Sequence, residues 1–195
     1  MDKKIIDFSF QAPYYKLGNV GDRSKSIWVI FHGYGQLVSD FIENFNEVNL
    51  DENVLIFPQG LSTFYLKGVA DKIGANWMTS HEREIDIQNY INYLDKLYQH
   101  EIMPHSSNIK LKLFGFSQGG HTVSRWISHS KLDYEKLVLW GTSLAHEINK
   151  EKIEACFSKG NNEIIIGDQD RFIDQKRLSH VMKRYTKIGF SYSLK

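Results

Sequence analysis

The sequence lacks the residues and runs that mark several common classes of protein. Cys156 is the only cysteine among 195 residues, which excludes an intramolecular disulfide and the cysteine patterns of metal sites. No apolar run approaches the roughly 20 residues of a membrane-spanning helix, and the first residues form no apolar stretch of signal-peptide length. We therefore expect a chain with no membrane span, in a reducing compartment and, by default, in the cytoplasm.

An excess of charge of either sign is also missing. Lys and Arg number 24 against 23 Asp and Glu, so the basic balance typical of nucleic-acid binding is absent and we expect no nucleic-acid partner. Hydrophobic residues make up 42% of the chain, which excludes general disorder. With no internal repeat or linker, the length predicts a single domain over residues 1–195. Some apolar residues are expected to be exposed outside the core, so a homodimer is kept as an alternative to a monomer.

Short apolar runs alternate with longer helical patterns along the chain. Buried strands are predicted where β-branched and aromatic residues cluster and a turn signal follows; they are Ser26–Phe31, Asn53–Pro58, Lys110–Phe116, Lys136–Gly141 and Glu163–Gly167. Helices are predicted between them, at Asp40–Phe45, Glu82–Gln99, Gln118–Ser130 and Asp174–Tyr185. This alternation predicts a mostly parallel sheet with helices on both faces. The alternating segments IIDFSF and IGFSYSL, the second from Ile188, are predicted edge strands.

The motif GFSQG, Gly115 to Gly119, falls where a predicted strand turns into a predicted helix. A G-x-S-x-G at such a turn is typical of a nucleophile elbow, in which a strained serine is lifted clear of the sheet. The glycines are needed because the strand and helix backbones approach closely there. The context therefore indicates that Ser117 is a nucleophile, rather than a serine that only caps the helix.

Two further motifs supply the groups that such a serine needs. HGYG, His32 to Gly35, follows the first buried strand, so the backbone N–H of Tyr34 is a candidate oxyanion donor beside that of Gln118. His32 itself is interpreted as a structural hydrogen-bonding residue. In GDQDRF, Asp168 and Asp170 compete as the carboxylate that orients a base; Asp170 lies further from the strand, whereas Asp168 is expected to bond the turn backbone.

Together these motifs resemble a known family. FHGYG, FPQG, the tryptophan of GANWM, GFSQGG and GDQD are similar to the phospholipase/carboxylesterase family of small serine esterases, which includes acyl-protein thioesterases. The resemblance runs from about Phe31 to Asp170. It implies an α/β-hydrolase fold without a large lid domain, a Ser-Asp-His triad, no cofactor, no metal, and hydrolysis of short or medium acyl esters or thioesters.

From their positions in these motifs, the resemblance implies that Ser117 is the nucleophile, that Asp170 is the acid of the triad, and that Tyr34 and Gln118 are the oxyanion donors. It places Trp77 at the acyl-binding wall, near Phe64 and Tyr65; ordinary loop packing is an equal alternative for each of the three. The substrate it implies is a small acyl ester or thioester.

The expected catalytic histidine is not found at its place after the last strand. Three explanations stay open: the base follows Lys195, so that residues 1–195 lack that segment; the chain is a non-catalytic binding protein that has lost its base; or the end is misassigned and His180 reaches the site. His121 lies one helical turn after Ser117 and is expected to pack or cap. Surface positions are expected for His81, His100, His105, His129 and His146.

Overall fold

The computed structural model describes all 195 residues, and seven of its nine strands form one sheet in the order β1-β3-β2-β6-β7-β8-β9. The strands of this sheet are β1 (Tyr14–Leu17), β2 (Ser26–Phe31), β3 (Asn53–Pro58), β6 (Lys110–Phe116), β7 (Lys136–Trp140), β8 (Asn161–Ile165) and β9 (Ser193–Leu194). Only β1 is antiparallel to its neighbour, which confirms the mostly parallel sheet. The other two strands, β4 (Ser62–Tyr65) and β5 (Ile73–Asn76), form an antiparallel hairpin that the sequence analysis missed.

Five α-helices accompany the sheet: α1 (Val38–Phe41), α2 (Arg83–Glu101), α3 (Gln118–Ser130), α4 (Lys150–Cys156) and α5 (Gln175–Ile188). Short 3-10 turns follow α1 and α2, at Ile42–Phe45 and Met103–His105. The predicted helices are confirmed, with α4 in addition. No helix combines the length and the apolar character needed to cross a lipid bilayer.

Two apolar clusters show that helices cover both faces of the sheet. The larger cluster joins the strands to α2 and α3 through residues such as Leu94 and Trp126. The smaller one packs Val38 and Phe41 of α1 against β2 and β3 on the other face. Burial of a large apolar side chain such as these stabilises the fold by about 1.5–3 kcal/mol. The layered α/β arrangement without a large lid domain is therefore as the resemblance implied.

Both predicted edge strands were wrong or too long. IIDFSF forms no strand, and Ile5, Ile6, Phe8 and Phe10 are exposed; the edge strand is β1, Tyr14–Leu17. At the other edge Ile188 still belongs to α5, which Gly189 ends at φ +72°, and only Ser193–Leu194 pair with β8. An alternation of apolar and polar residues indicates only that a segment can form a strand. Pairing also needs the edge of a neighbouring strand at the right distance.

The order of the strands reverses its direction between β2 and β6. The chain leaves β2 for β3 on one side and later reaches β6 on the other side, so the direction of strand order reverses between β2 and β6. In open α/β sheets, ligands bind outside the carboxyl ends of the strands at such a reversal. HGYG follows β2 and Ser117 follows β6, so both motifs lie at this point.

Candidate active site

Ser117 occupies a strained backbone conformation between β6 and α3. Its φ of 50° and ψ of −119° are unfavourable for a residue with a side chain, and such strain is concentrated at functional sites. The turn is held because the Ser117 N–H donates to Trp140 O at 3.0 Å and the Gly120 N–H donates to Ser117 O at 3.0 Å. The strained turn lies at the strand-to-helix junction where the motif predicted a nucleophile elbow, and the role of Ser117 as a nucleophile stays a prediction.

The glycines beside Ser117 let three backbone segments meet. A Cβ added to Gly115 would lie 2.5 Å from Gly120 Cα, and one added to Gly119 would lie 2.7 Å from His32 O and still closer to Phe31 O. Gly33 also lies near the serine, since a Cβ added there would lie 3.2 Å from Ser117 Cβ. The strand β6, the helix α3 and the loop after β2 are therefore packed backbone to backbone around the serine.

Two backbone N–H groups near Ser117 have no acceptor within the protein. These belong to Tyr34 and Gln118, whereas the neighbouring Gly35 N–H donates to Ala75 O at 2.8 Å. The Gly33 N–H donates to the side-chain Oε1 of Gln36 at 2.7 Å, a contact that the sequence analysis missed because it depends on loop geometry. The start of α3 adds the positive end of the helix dipole. Both predicted oxyanion donors are thus free to bind a developing negative charge.

Asp170 lies over the carboxyl end of β7, the strand next to the one that carries Ser117. Its Oδ1 accepts hydrogen bonds from the N–H groups of Phe172 at 2.8 Å and Ile173 at 2.9 Å. Its Oδ2 faces Gly141, and a Cβ added to that glycine would lie 3.3 Å from this oxygen. The Oδ2 atom accepts no hydrogen bond from the protein. Asp168 is exposed in the turn and bonds no backbone group, contrary to expectation. The free oxygen of Asp170 suits the proposed orienting role, which stays a prediction.

Trp77 lies in the core, with 2% of its surface exposed. Its ring packs against Phe31 at 5.4 Å and against His32 at 5.1 Å between centroids. This is the position that the packing alternative expected. The aromatic groups that are accessible beside the site are those of Tyr34, 57% exposed, and Phe64, whose ring centroids lie 5.2 Å apart.

His32 is a buried structural histidine. Its Nδ1 lies 2.8 Å from Gly33 O, and its Nε2 accepts a hydrogen bond from the Gly60 N–H at 2.9 Å, so the ring is neutral with its proton on Nδ1. Burial lowers the pKa of His32 from 6.5 to about 4, although the hydrogen bond to Gly33 raises it slightly. The ring therefore ties the HGYG loop to the loop after β3, and its Nε2 is not available as a base.

The buried neutral ring predicts a loss of stability in mild acid. Between pH 6.5 and about 4 the unfolded chain binds a proton on His32 that the folded chain does not, so stability falls as the pH falls through this window. His32 alone should account for about 3 kcal/mol of the loss between pH 7 and pH 4. Urea unfolding of the wild type and of His32→Gln at both pH values measures it: the variant should lose less stability. Equal losses would contradict the assignment.

No histidine of the chain contacts Asp170 or the Ser117 hydroxyl at hydrogen-bond or ion-pair distance. His121, on α3, is half-buried, and burial with the nearby Arg125 lowers its pKa to about 4. His180 is exposed on α5. No group of three or more His, Cys, Asp or Glu side chains is placed to hold a metal ion. The structure thus brings together a serine, two N–H donors and a carboxylate, without a base among residues 1–195.

Comparison with known proteins defines the fold. No family model matches the sequence, and neither does any curated protein. Among solved structures, acyl-protein thioesterase 2 of Zea mays matches with a TM-score of 0.71 at 17% identity, covering 95% of this chain and 89% of that one. A phospholipase/carboxylesterase from Dyadobacter fermentans matches with a TM-score of 0.65 at 16% identity, covering 96% of this chain and 87% of that one. Esterase PE8 matches with a TM-score of 0.65 at 18% identity, covering 95% of this chain and 89% of that one. The chain therefore has an α/β-hydrolase fold like that of these esterases.

Proposed function

We propose that the chain is a serine hydrolase that cleaves carboxylic esters, or thioesters, of short to medium acyl chains. The observation that carries the proposal is the strained Ser117, which lies at the end of β6 beside the free N–H groups of Tyr34 and Gln118. Acyl transfer uses a lifted serine hydroxyl and an oxyanion hole together. The solved structures of similar fold include esterases and a thioesterase, which adds support.

The proposed reaction has two steps. Ser117 Oγ attacks the carbonyl carbon while a base takes its proton, and the oxyanion is held by the N–H groups of Tyr34 and Gln118. The C–O or C–S bond to the leaving group then breaks as the base returns the proton to the departing alcohol or thiol. Water attacks the resulting acyl-enzyme in the same way and releases the acid.

The proposed base is a histidine that follows Lys195, oriented by Asp170. Strand β9 runs parallel to β8, so its carboxyl end points to the edge of the sheet where Asp170 lies. Lys195 O accepts a hydrogen bond from the Ile166 N–H, immediately before the loop that carries Asp170. A histidine after Lys195 would therefore leave the sheet at the edge that carries the Asp170 loop.

Added imidazole tests this arrangement, because a small base can occupy the place of a missing side chain. Hydrolysis of p-nitrophenyl butyrate by the 195-residue chain should be weak and should rise with imidazole concentration, well above the rate of imidazole alone. Asp170→Asn should reduce this imidazole-dependent rate roughly tenfold or more, since the orienting carboxylate is lost. Full turnover without imidazole would contradict the proposal and would place the base on His121 or His180.

The absence of a histidine partner for Asp170 favours one second candidate, a non-catalytic protein that binds a small ligand beside Ser117. The imidazole experiment separates the two. A binding protein would show no turnover above that of Ser117→Ala at any imidazole concentration.

A further inference from the structure

The residues 75–78, at the end of β5 and just after it, contact both segments that carry the proposed oxyanion donors. On one side, Ala75 O accepts the Gly35 N–H at 2.8 Å, beside Tyr34. On the other side, the backbone of Trp77 and Met78 bonds the side chain of Gln118. A short segment from a hairpin outside the main sheet thus connects the loop after β2 with the start of α3.

The Gln118 amide uses both of its ends in this connection. Its Oε1 accepts the Trp77 N–H at 3.1 Å, and its Nε2 donates to Met78 O at 2.8 Å. The amide therefore pairs with the chain as a neighbouring strand would. Since Gln118 begins α3 and supplies a donor through its own backbone N–H, fixing its side chain also restricts the direction of that N–H.

The Trp77 indole makes the connection to the other donor. Its Nε1 donates to His32 O at 3.0 Å, two residues before Tyr34. The ring cannot turn away, because it is buried and stacks on the His32 imidazole at 5.1 Å. Trp77 is therefore bonded to one donor segment by its backbone and to the other by its side chain.

We propose that Trp77 is a positioning residue that sets the separation between the two oxyanion donors, with the Gln118 amide as its partner. The proposal rests on the proposed serine hydrolase function. Both N–H groups must lie about 2.7–3.1 Å from the same oxyanion at once, so their spacing decides how well the transition state is held. A misplacement of about 1 Å can cost roughly 100-fold in rate. The ground-state ester does not need both donors, so the loss falls on kcat.

Trp77→Phe tests the indole bond, and Trp126→Phe is its matched control. Trp126 is equally buried and also packs against Phe31, but its Nε1 donates to Asp95 at 2.8 Å and makes no hydrogen bond to either donor segment. Both variants should lower the melting temperature to a similar extent. Under imidazole conditions that give maximal wild-type turnover, only Trp77→Phe should lower kcat by about 10- to 100-fold, with KM within about twofold.

Gln118→Glu gives a signature that a loss of packing cannot produce. The ionised carboxylate can accept the Trp77 N–H but cannot donate to Met78 O, and its charge opposes the oxyanion. Protonation restores a donor and removes the charge, so the ratio of the variant rate to the wild-type rate should rise as the pH falls toward about 4. Gln118→Ala, with no titrating group, should show a low and constant ratio.

The outcomes separate the two proposals. The positioning role would be overturned, and the hydrolase proposal kept, if the wild type turned over and Trp77→Phe and Trp126→Phe had equal kcat. A rate ratio for Gln118→Glu that does not change with pH would have the same meaning. A wild-type chain that shows no imidazole-dependent turnover would overturn both. A selective loss of kcat in Trp77→Phe with acid recovery in Gln118→Glu is the result expected.

Discussion

Ser117→Ala is expected to lower imidazole-dependent ester turnover by at least about 1,000-fold, to the rate of imidazole and buffer alone. The variant removes the only nucleophile that the elbow presents, while the oxyanion donors and Asp170 stay in place. The alanine Cβ occupies the same space as the serine Cβ, so the fold should be retained. Steady-state hydrolysis of p-nitrophenyl butyrate, with circular dichroism to confirm folding, measures the effect.

Ser128→Ala is the matched control for this loss. Ser128 lies on the same helix, and its buried hydroxyl has no hydrogen-bond partner, so its removal should cost little stability and no turnover. Equal turnover in Ser117→Ala and the wild type would show that another group attacks the ester, and the nucleophile would have to be sought elsewhere.

Gly119→Ala is expected to destabilise the fold by about 3 kcal/mol or more. The added Cβ would clash with the backbone oxygen of Phe31 and lie 2.7 Å from that of His32. Backbone atoms in a central strand cannot move aside as a flexible side chain can. The substitution therefore forces α3 away from the end of β2, or leaves the chain unfolded. The free energy of unfolding in urea measures the cost.

Gly21→Ala provides the comparison for Gly119→Ala. A Cβ at Gly21 would meet nothing within 4 Å, and its φ is not positive, so the change should be close to neutral. A Gly119→Ala chain as stable as Gly21→Ala would mean that strand and helix do not approach as closely as the structure has them.

The central strands could be predicted from the sequence because burial leaves a direct trace. Strands β2 and β3 are covered on both faces, so apolar residues follow one another in them without a polar break, whereas β6 includes Lys112 and alternates buried with less buried positions. The predicted bounds of all three strands match the structure. The helix α3 was predicted with equal accuracy, since Ser117 and the glycines mark its start. Local chemistry and the final fold agree in these elements.

The hairpin β4–β5 could not be predicted in the same way. Its strands have four residues each, several of them exposed, and neither shows a clear period. The exposed IIDFSF shows the opposite case, a regular alternation that has no partner edge to pair with. Pairing of short strands is decided by contacts far apart in sequence, which no local pattern records.

The same limit applies to the candidate site. Ser117, Tyr34, Gln118 and Asp170 follow strand ends, so their common place at one edge of the sheet could be predicted from the motifs, while their roles stay proposals. The connection through Trp77 depends on residues 41 and 45 positions away, Gln118 and His32. The sequence marked Trp77 as notable, but only the structure places it between the two donors.

The most direct test of the central claim is reaction of the chain with a fluorophosphonate in the presence of imidazole, followed by intact-mass analysis and peptide mapping. A single adduct on Ser117, formed faster with imidazole and absent in Ser117→Ala, is the result predicted. A folded wild-type chain that forms no adduct, or forms it on another residue, would contradict the assignment of Ser117 as the nucleophile.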